Sequence, residues 1–188
     1  AVTSVCGERV VGEDLLELLW RLVDKSLVEV VHTDGTEARY RMLEMVRQFA
    51  FERLSAASEA SDALARHSAY YLARFEEAVA DLIGPAETAT FEALDRELDN
   101  ILASLNRSLT VEADVDRVLR SVSNGWQYWV SRGRIALARG MLAAGLQRGE
   151  HADPLARGRA LMATSMLARF AGDGNQASES AEASVRLY

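Results

Sequence analysis

The sequence predicts a mainly α-helical chain interrupted by a single β-hairpin. Three observations carry that expectation. Alanine is abundant and proline occurs only at Pro85 and Pro154, a mix that favours helix. Apolar residues recur at helical spacing along most of the chain. Only residues 27–43 break the pattern, with a β-branched run, an Asp34-Gly35 turn signal and a return to alternation.

The first helix lies in "GEDLLELLWRLVDKSL", where Leu15, Leu18, Leu19, Leu22 and Val23 share a face. Glu13 and Asp14 fall in its first turn, where the helix dipole favours acids. The hairpin comes next, with Tyr40 and Met42 on one face of its second strand and Arg39 and Arg41 on the other. Helix resumes at Glu44, with Val46, Phe49, Ala50 and Leu54 in line. Helix, strand, turn, strand, helix is the order of the second half of a winged-helix domain. A two-stranded hairpin is marginal alone and must pack on those helices.

"SAASEASD" (55–62) reads as a hinge or short loop. Leu64, Tyr71, Leu72, Phe75 and Val79 mark a helix over about 62–82, which Gly84-Pro85 ends. Phe91, Leu94, Leu98, Ile101, Leu102, Leu105 and Leu109 line the next. Val115, Val118, Leu119, Val122, Trp126, Trp129 and Val130 line a helix over about 114–131. The last third holds a weak internal repeat: residues 132–147 align with 171–187 at an offset of 39, laying Gly133 on Gly172, Ala138 on Ala177 and Leu146 on Val185. A period of that size points to stacked helical hairpins, and small residues let neighbouring helices approach closely. The expected domains are a partial winged helix over 1–58 (hairpin about 27–43), linker helices or a first helical pair over 59–113, and helical repeats over 114–188.

Composition narrows the function. The net charge of −7 argues against nucleic-acid or acidic-membrane binding over the whole surface. One cysteine, Cys6, in what reads as a loose N-terminal segment, excludes an internal disulfide and fits a reducing, cytoplasmic compartment. No apolar run is long enough to span a bilayer, and no signal-peptide pattern opens the chain. The first residue is not Met and the last are "ASVRLY", so both ends are expected to continue into a larger protein.

The runs "LLELLWRLVDKSLV", "DGTEARYRMLEMVRQFAFERL", "RHSAYYLARF" and "LDRELDNILASL" resemble the segment C-terminal to the nucleotide-binding core in bacterial STAND-type signalling ATPases. That group includes LuxR-type and SARP-type transcription regulators and ATPase–cyclase fusions. The resemblance covers roughly residues 10–188. It implies a winged helix packed on the nucleotide-binding module, then a tetratricopeptide-like superhelical array that senses a ligand or partner. The repeats depart from the tetratricopeptide pattern at Ala181, where an aromatic residue is common. ATP or ADP and Mg are implied for an upstream domain. This chain has no GxxxxGK[ST], so it is expected to bind no nucleotide alone.

No catalytic, cofactor-binding or metal-binding residue is expected. No nucleophile–base motif appears, His32, His67 and His151 are far apart, and no DxDxDG loop or HExxH accompanies the carboxylates. His67 reads as a packing or capping residue. Asp95 and Asp99 stand one turn apart, and the bland reading has Asp99 tying neighbouring helices together. Residues 1–60 hold 7 basic and 11 acidic residues, and Glu13, Asp14, Glu17 and Asp24 lie where a recognition helix would fall, so DNA binding is disfavoured. Arg39 and Arg41 are the candidate contacts on the wing. Residues 114–188 hold 10 basic and 7 acidic residues, whereas 61–113 hold 4 and 10. That asymmetry either steers an acidic peptide onto the repeats or carries no function. In "NGWQYWVSRGR", Trp126 and Trp129 fit the core stripe, while Tyr128 lies off it and, with Arg132 and Arg134, is expected to line a partner-binding groove. The rival readings are a free-standing helical-repeat scaffold and a DNA-binding winged helix.

Overall fold

The computed structural model describes residues 1–6, 15–32, 38–80 and 87–187. Its elements are α1 (Val2–Cys6), α2 (Leu15–Asp24), β1 (Glu29–His32), β2 (Ala38–Arg41), α3 (Glu44–Ala56), α4 (Ala60–Ala80), α5 (Glu87–Leu109), α6 (Val115–Asn124), α7 (Trp126–Ser131), α8 (Ile135–Arg148), α9 (Pro154–Phe170) and α10 (Gly174–Val185), with a 3₁₀ turn at Glu112–Asp114. The chain is therefore mainly α with one hairpin, as its periodicity predicts. The Glu13/Asp14 first turn, the Asp34-Gly35 turn and the Gly84-Pro85 break lie outside the described residues. The chain separates into two compact units, Ala1–His67 and Ser68–Tyr188.

In the first unit, β1 and β2 pair antiparallel with Glu29 opposite Arg41, Val30 opposite Tyr40 and Val31 opposite Arg39. This register puts Val28, Val30, Tyr40 and Met42 on one face and Glu29, Val31, Arg39 and Arg41 on the other. Val28 is the one buried hydrophobic residue of this unit among those described. Large apolar side chains of α2 and α3 stay exposed, Trp20 at 64%, Phe49 at 62% and Met45 at 80%, while Leu15, Leu18, Leu19 and Val23 of the α2 stripe are half-buried. The stripe at Val46, Phe49, Ala50 and Leu54, expected to be core, is thus largely uncovered. Cys6 ends α1 instead of lying in a loose segment, and the carbonyl of the preceding Val5 accepts a 2.6 Å hydrogen bond from Arg66 Nε. His67 stands two turns inside α4, so it is not a cap.

The loop expected at 55–62 is a tight turn. Ser58 takes φ 60°, with Ser58 N bonding to Ser55 O and Glu59 N to Leu54 O. The repeat uses the same device twice. Gly133 (φ 65°) and Gly172 (φ 78°) come just after α7 and α9. Arg134 N bonds to Trp129 O and Asp173 N to Ala168 O, a pair of helix stops 39 residues apart. Ala138 and Ala177, aligned in sequence, are both buried. Leu146 packs on the core, but its counterpart Val185 is 69% exposed.

The second unit holds the main core. Phe75 of α4 meets Trp129 at 5.5 Å and Tyr128 at 6.2 Å between ring centroids, and Phe91 of α5 meets Tyr128 at 5.8 Å. The helix expected over 114–131 is divided at Gly125. A β-carbon there would sit 2.6 Å from Phe75 Cζ, so the backbone closes onto the aromatic cluster only because the side chain is missing. Helices α9 and α10 pack through small residues, with Ser165 Oγ donating to Ala177 O at 2.7 Å and Ser184 Oγ to Gly158 O at 2.8 Å. Asp153 caps α9 ahead of Pro154, and Asp173 caps α10.

Three glycine substitutions should separate these roles in thermal unfolding of the 188-residue chain. Gly133→Ala forces a β-carbon into a left-handed conformation and should cost about 1 kcal/mol. Gly125→Ala should cost roughly 1–3 kcal/mol by overpacking. Gly140→Ala, mid-helix with open space around the new methyl, should stabilise by about 0.5–1 kcal/mol. Equal effects at all three would refute the assignment.

Candidate functional site: an aromatic hollow beside a buried anchor

Two clusters organise the second unit, and three of the sequence-predicted residues, Tyr128, Arg132 and Arg134, fall in the inner one. Tyr128 is fully buried, with 0% exposure. It does not line a surface groove. Both Tyr128 and its neighbour Trp129 are fully buried, so α5 and α4 cover more of α7 than the one stripe read from the sequence. Its phenol donates to Asp95 Oδ1 at 2.9 Å. Burial first, then the bond to Asp95, raises its pKa well above the usual phenol range, so it stays a neutral donor.

Asp95 also collects both arginines. Arg132 Nε lies 2.7 Å from Asp95 Oδ2, a charge contact without an aligned hydrogen bond, and Arg134 Nη1 lies 3.4 Å from Oδ1. The Arg132 guanidinium covers the Phe91 ring at 5.1 Å. Arg132 and Arg134 are therefore committed inside the fold. Asp95, not Asp99, ties the helices together, and Asp99 is exposed. The one-turn spacing identified the pair. Which carboxylate faced inward depended on the packing of α5 against α7. On the hairpin, Arg41 pairs with Glu29 at 3.0 Å on an exposed face, and Arg39 also has an interaction partner. No group of three or more His, Cys, Asp or Glu side chains that could hold a metal ion occurs among the described residues.

The accessible site lies on the other side of α7. Glu76, Val79, Ala80, Ser123, Asn124, Trp126 and Gln127 line a hollow of about 330 Å³. Met166, Arg169 and Phe170 line a second of about 230 Å³. Trp126, expected in the core, is only half-buried and stacks on the exposed Phe170 ring at 6.1 Å and 26°. That ring pair stands between the two hollows. Sequence reasoning missed Phe170, Met166 and Arg169. The signal was there in the 39-residue offset, which lays Met166 on Gln127 and Arg159 on Arg120.

Glu76 at the rim accepts both Arg117 bonds at 2.9 Å and a 2.7 Å bond from Ser121. Burial alone would raise its pKa, but those bonds and the nearby Arg117 and Arg120 charges prevail and lower it.

Comparisons with known proteins place the chain among partial likenesses. No family model matches it. No solved structure matches it. Proteins of Mycobacterium bovis and of two strains of Mycobacterium tuberculosis, each carrying the name "putative HTH-type transcriptional regulator", are similar to it at 35% identity over 132 residues. The match covers 66% of this chain but 14% of each relative's length. Among the described residues, no helix is long and apolar enough to cross a membrane.

Two measurements check the inner cluster and the rim. Tyr128→Phe leaves Asp95 short of a donor and should cost about 1–2 kcal/mol. Its effect should be non-additive with Asp95→Asn in a double-mutant cycle, because the two share one bond. Glu76 has a folded pKa below its unfolded value. Its contribution is therefore whole above the ordinary carboxylate range and is lost as pH falls through the lowered value. Glu76→Gln should flatten the stability curve below about pH 4 and leave its neutral-to-basic arm unchanged in slope.

Proposed function

We propose that this chain is a non-enzymatic regulatory and protein-interaction segment of a larger cytoplasmic STAND-type ATPase regulator of transcription or signalling. In this reading the first unit is the second half of a winged helix and docks on a nucleotide-binding module elsewhere in the protein. The second unit is a tetratricopeptide-like array that receives a protein partner or ligand. Partner binding shifts the winged helix against the module and changes ADP-to-ATP exchange there. ATP or ADP and Mg belong to that module, and no nucleotide binds this chain.

The observation that carries the reading is the number of large apolar side chains the first unit leaves exposed. Leu16, Trp20, Met45, Phe49 and Phe51 are all exposed on two short helices. So much uncovered aromatic and aliphatic surface in one small unit marks a contact site. Regulators about seven times the length of the matched segment supply room for the missing module. Duplex binding by the hairpin is disfavoured, because Arg41 is already held by Glu29 and the unit is acidic.

The upstream reading frame gives the first check: a GxxxxGK[ST] after a strand is expected. In that full-length protein, Trp20→Arg with Phe49→Glu should undock the first unit and speed nucleotide exchange about tenfold, a change of about 1.4 kcal/mol in the barrier. Absence of any phosphate loop, or exchange indifferent to both substitutions, would sink the proposal.

A further inference from the structure

The outer hollows of the second unit carry a charge pattern that selects their occupant. Helices α6, α7 and α9 together hold five arginines and one carboxylate. The carboxylate, Asp116, accepts from the Asp153 backbone N–H at 3.1 Å. Arg117 is spent on Glu76, and Arg157 on the carbonyls of Leu146 and Gly149. Arg120, Arg159 and Arg169 remain. All three are exposed, and none has an ion-pair partner within 4 Å among the described residues. Among the described residues Glu76 is the one acid in the wall, and Arg117 pairs with it, which leaves the exposed arginines in excess there.

These cations share a face with the aromatic pair. Arg159, Met162, Met166, Arg169 and Phe170 recur at helical spacing along α9, and Met162 and Phe170 are exposed. On α6, Arg120 and Asn124 are one turn apart and lead to the Trp126 hollow. The result is a pair of hollows joined at the Trp126–Phe170 rings, with exposed guanidinium groups on the flanking helices and, among the described residues, one lining carboxylate, Glu76, which Arg117 holds.

We propose that this cleft binds an acidic peptide segment of another protein, seating one large apolar side chain at Trp126–Phe170 while Asp or Glu side chains reach Arg120, Arg159 and Arg169. The proposal rests on the reading of the second unit as the partner-binding part. It adds the chemistry of the partner. Eleven residues of α9 separate Arg159 from Phe170, a rise of about 16 Å. An extended peptide covers that in about five residues, which sets the spacing between its apolar anchor and its distal acid. Guanidinium groups suit the task because they grip carboxylates with two parallel bonds.

The test is fluorescence anisotropy of the 188-residue chain with labelled decapeptides rich in Glu and Asp around one central Phe. Matched peptides carry Lys in place of the acids, or Ser in place of Phe. The acidic, Phe-containing peptide should bind best, and raising salt from about 50 to 500 mM should weaken it at least tenfold. Arg159→Glu with Arg169→Glu, both exposed and read beside a far-ultraviolet dichroism control, should weaken it about a hundredfold. Phe170→Ala should weaken it about tenfold and abolish the preference for Phe over Ser. Binding that ignores peptide charge, binding that survives these substitutions, preference for single-stranded or duplex DNA, or no binding of any peptide would overturn the proposal. None of those outcomes bears on exchange by Trp20 and Phe49 variants of the full-length protein, so the two readings fail separately.

Discussion

The second unit depends on burying the Tyr128 hydroxyl. A phenol with no access to water must find an acceptor inside the protein or cost about 1–3 kcal/mol. Asp95 supplies the acceptor, at 2.9 Å. A carboxylate drawn that far in needs compensation of its own, and Arg132 and Arg134 provide it from the turn after α7. The arrangement joins α5 to the end of α7 with the Asp95 charge matched by cations. It also fixes which way the α7 aromatics point: Tyr128 and Trp129 inward against Phe75 and Phe91, Trp126 outward against Phe170.

That orientation has a functional consequence. The arginines that look most available in the sequence are consumed in holding the fold. The three arginines of the proposed cleft, Arg120, Arg159 and Arg169, are scattered over some fifty residues of sequence. The same economy appears at Arg139, which Asp173 and Gln176 hold at the start of α10, and at Arg157, which closes the end of α8. In a chain whose cations are almost all arginine, the ones that hold the fold are set apart from the rest by where carboxylates and carbonyls lie.

The two units differ in kind. The second has a core of large aromatic and aliphatic side chains closed over by small-residue helix packing. The first has good local structure, with paired strands, a cross-strand ion pair and stopped helices, yet among its described residues only Val28 is a buried hydrophobic. Local hydrogen bonds define its elements, but they contribute about 1 kcal/mol each and do not replace a core. A unit of that kind stands to gain stability from any surface that covers its exposed apolar side chains, which is what the proposed docking requires.

Local architecture was legible in the order of residues alone. The 3.6-residue stripes placed the long helices, alternation placed the hairpin and its two faces, and the 39-residue offset marked the two helix stops at Gly133 and Gly172. These features are set by backbone sterics and by burial along one element, so neighbours in sequence suffice. The inward face of α7, the choice between Asp95 and Asp99, and the set of unpaired arginines came instead from tertiary packing. Each depends on a meeting between segments thirty or more residues apart, such as Tyr128 with Asp95, or Glu76 with Arg117. Periodicity describes a stripe within one helix. At Gly125 a β-carbon would collide with Phe75, a close approach that no spacing rule within α6 or α7 contains.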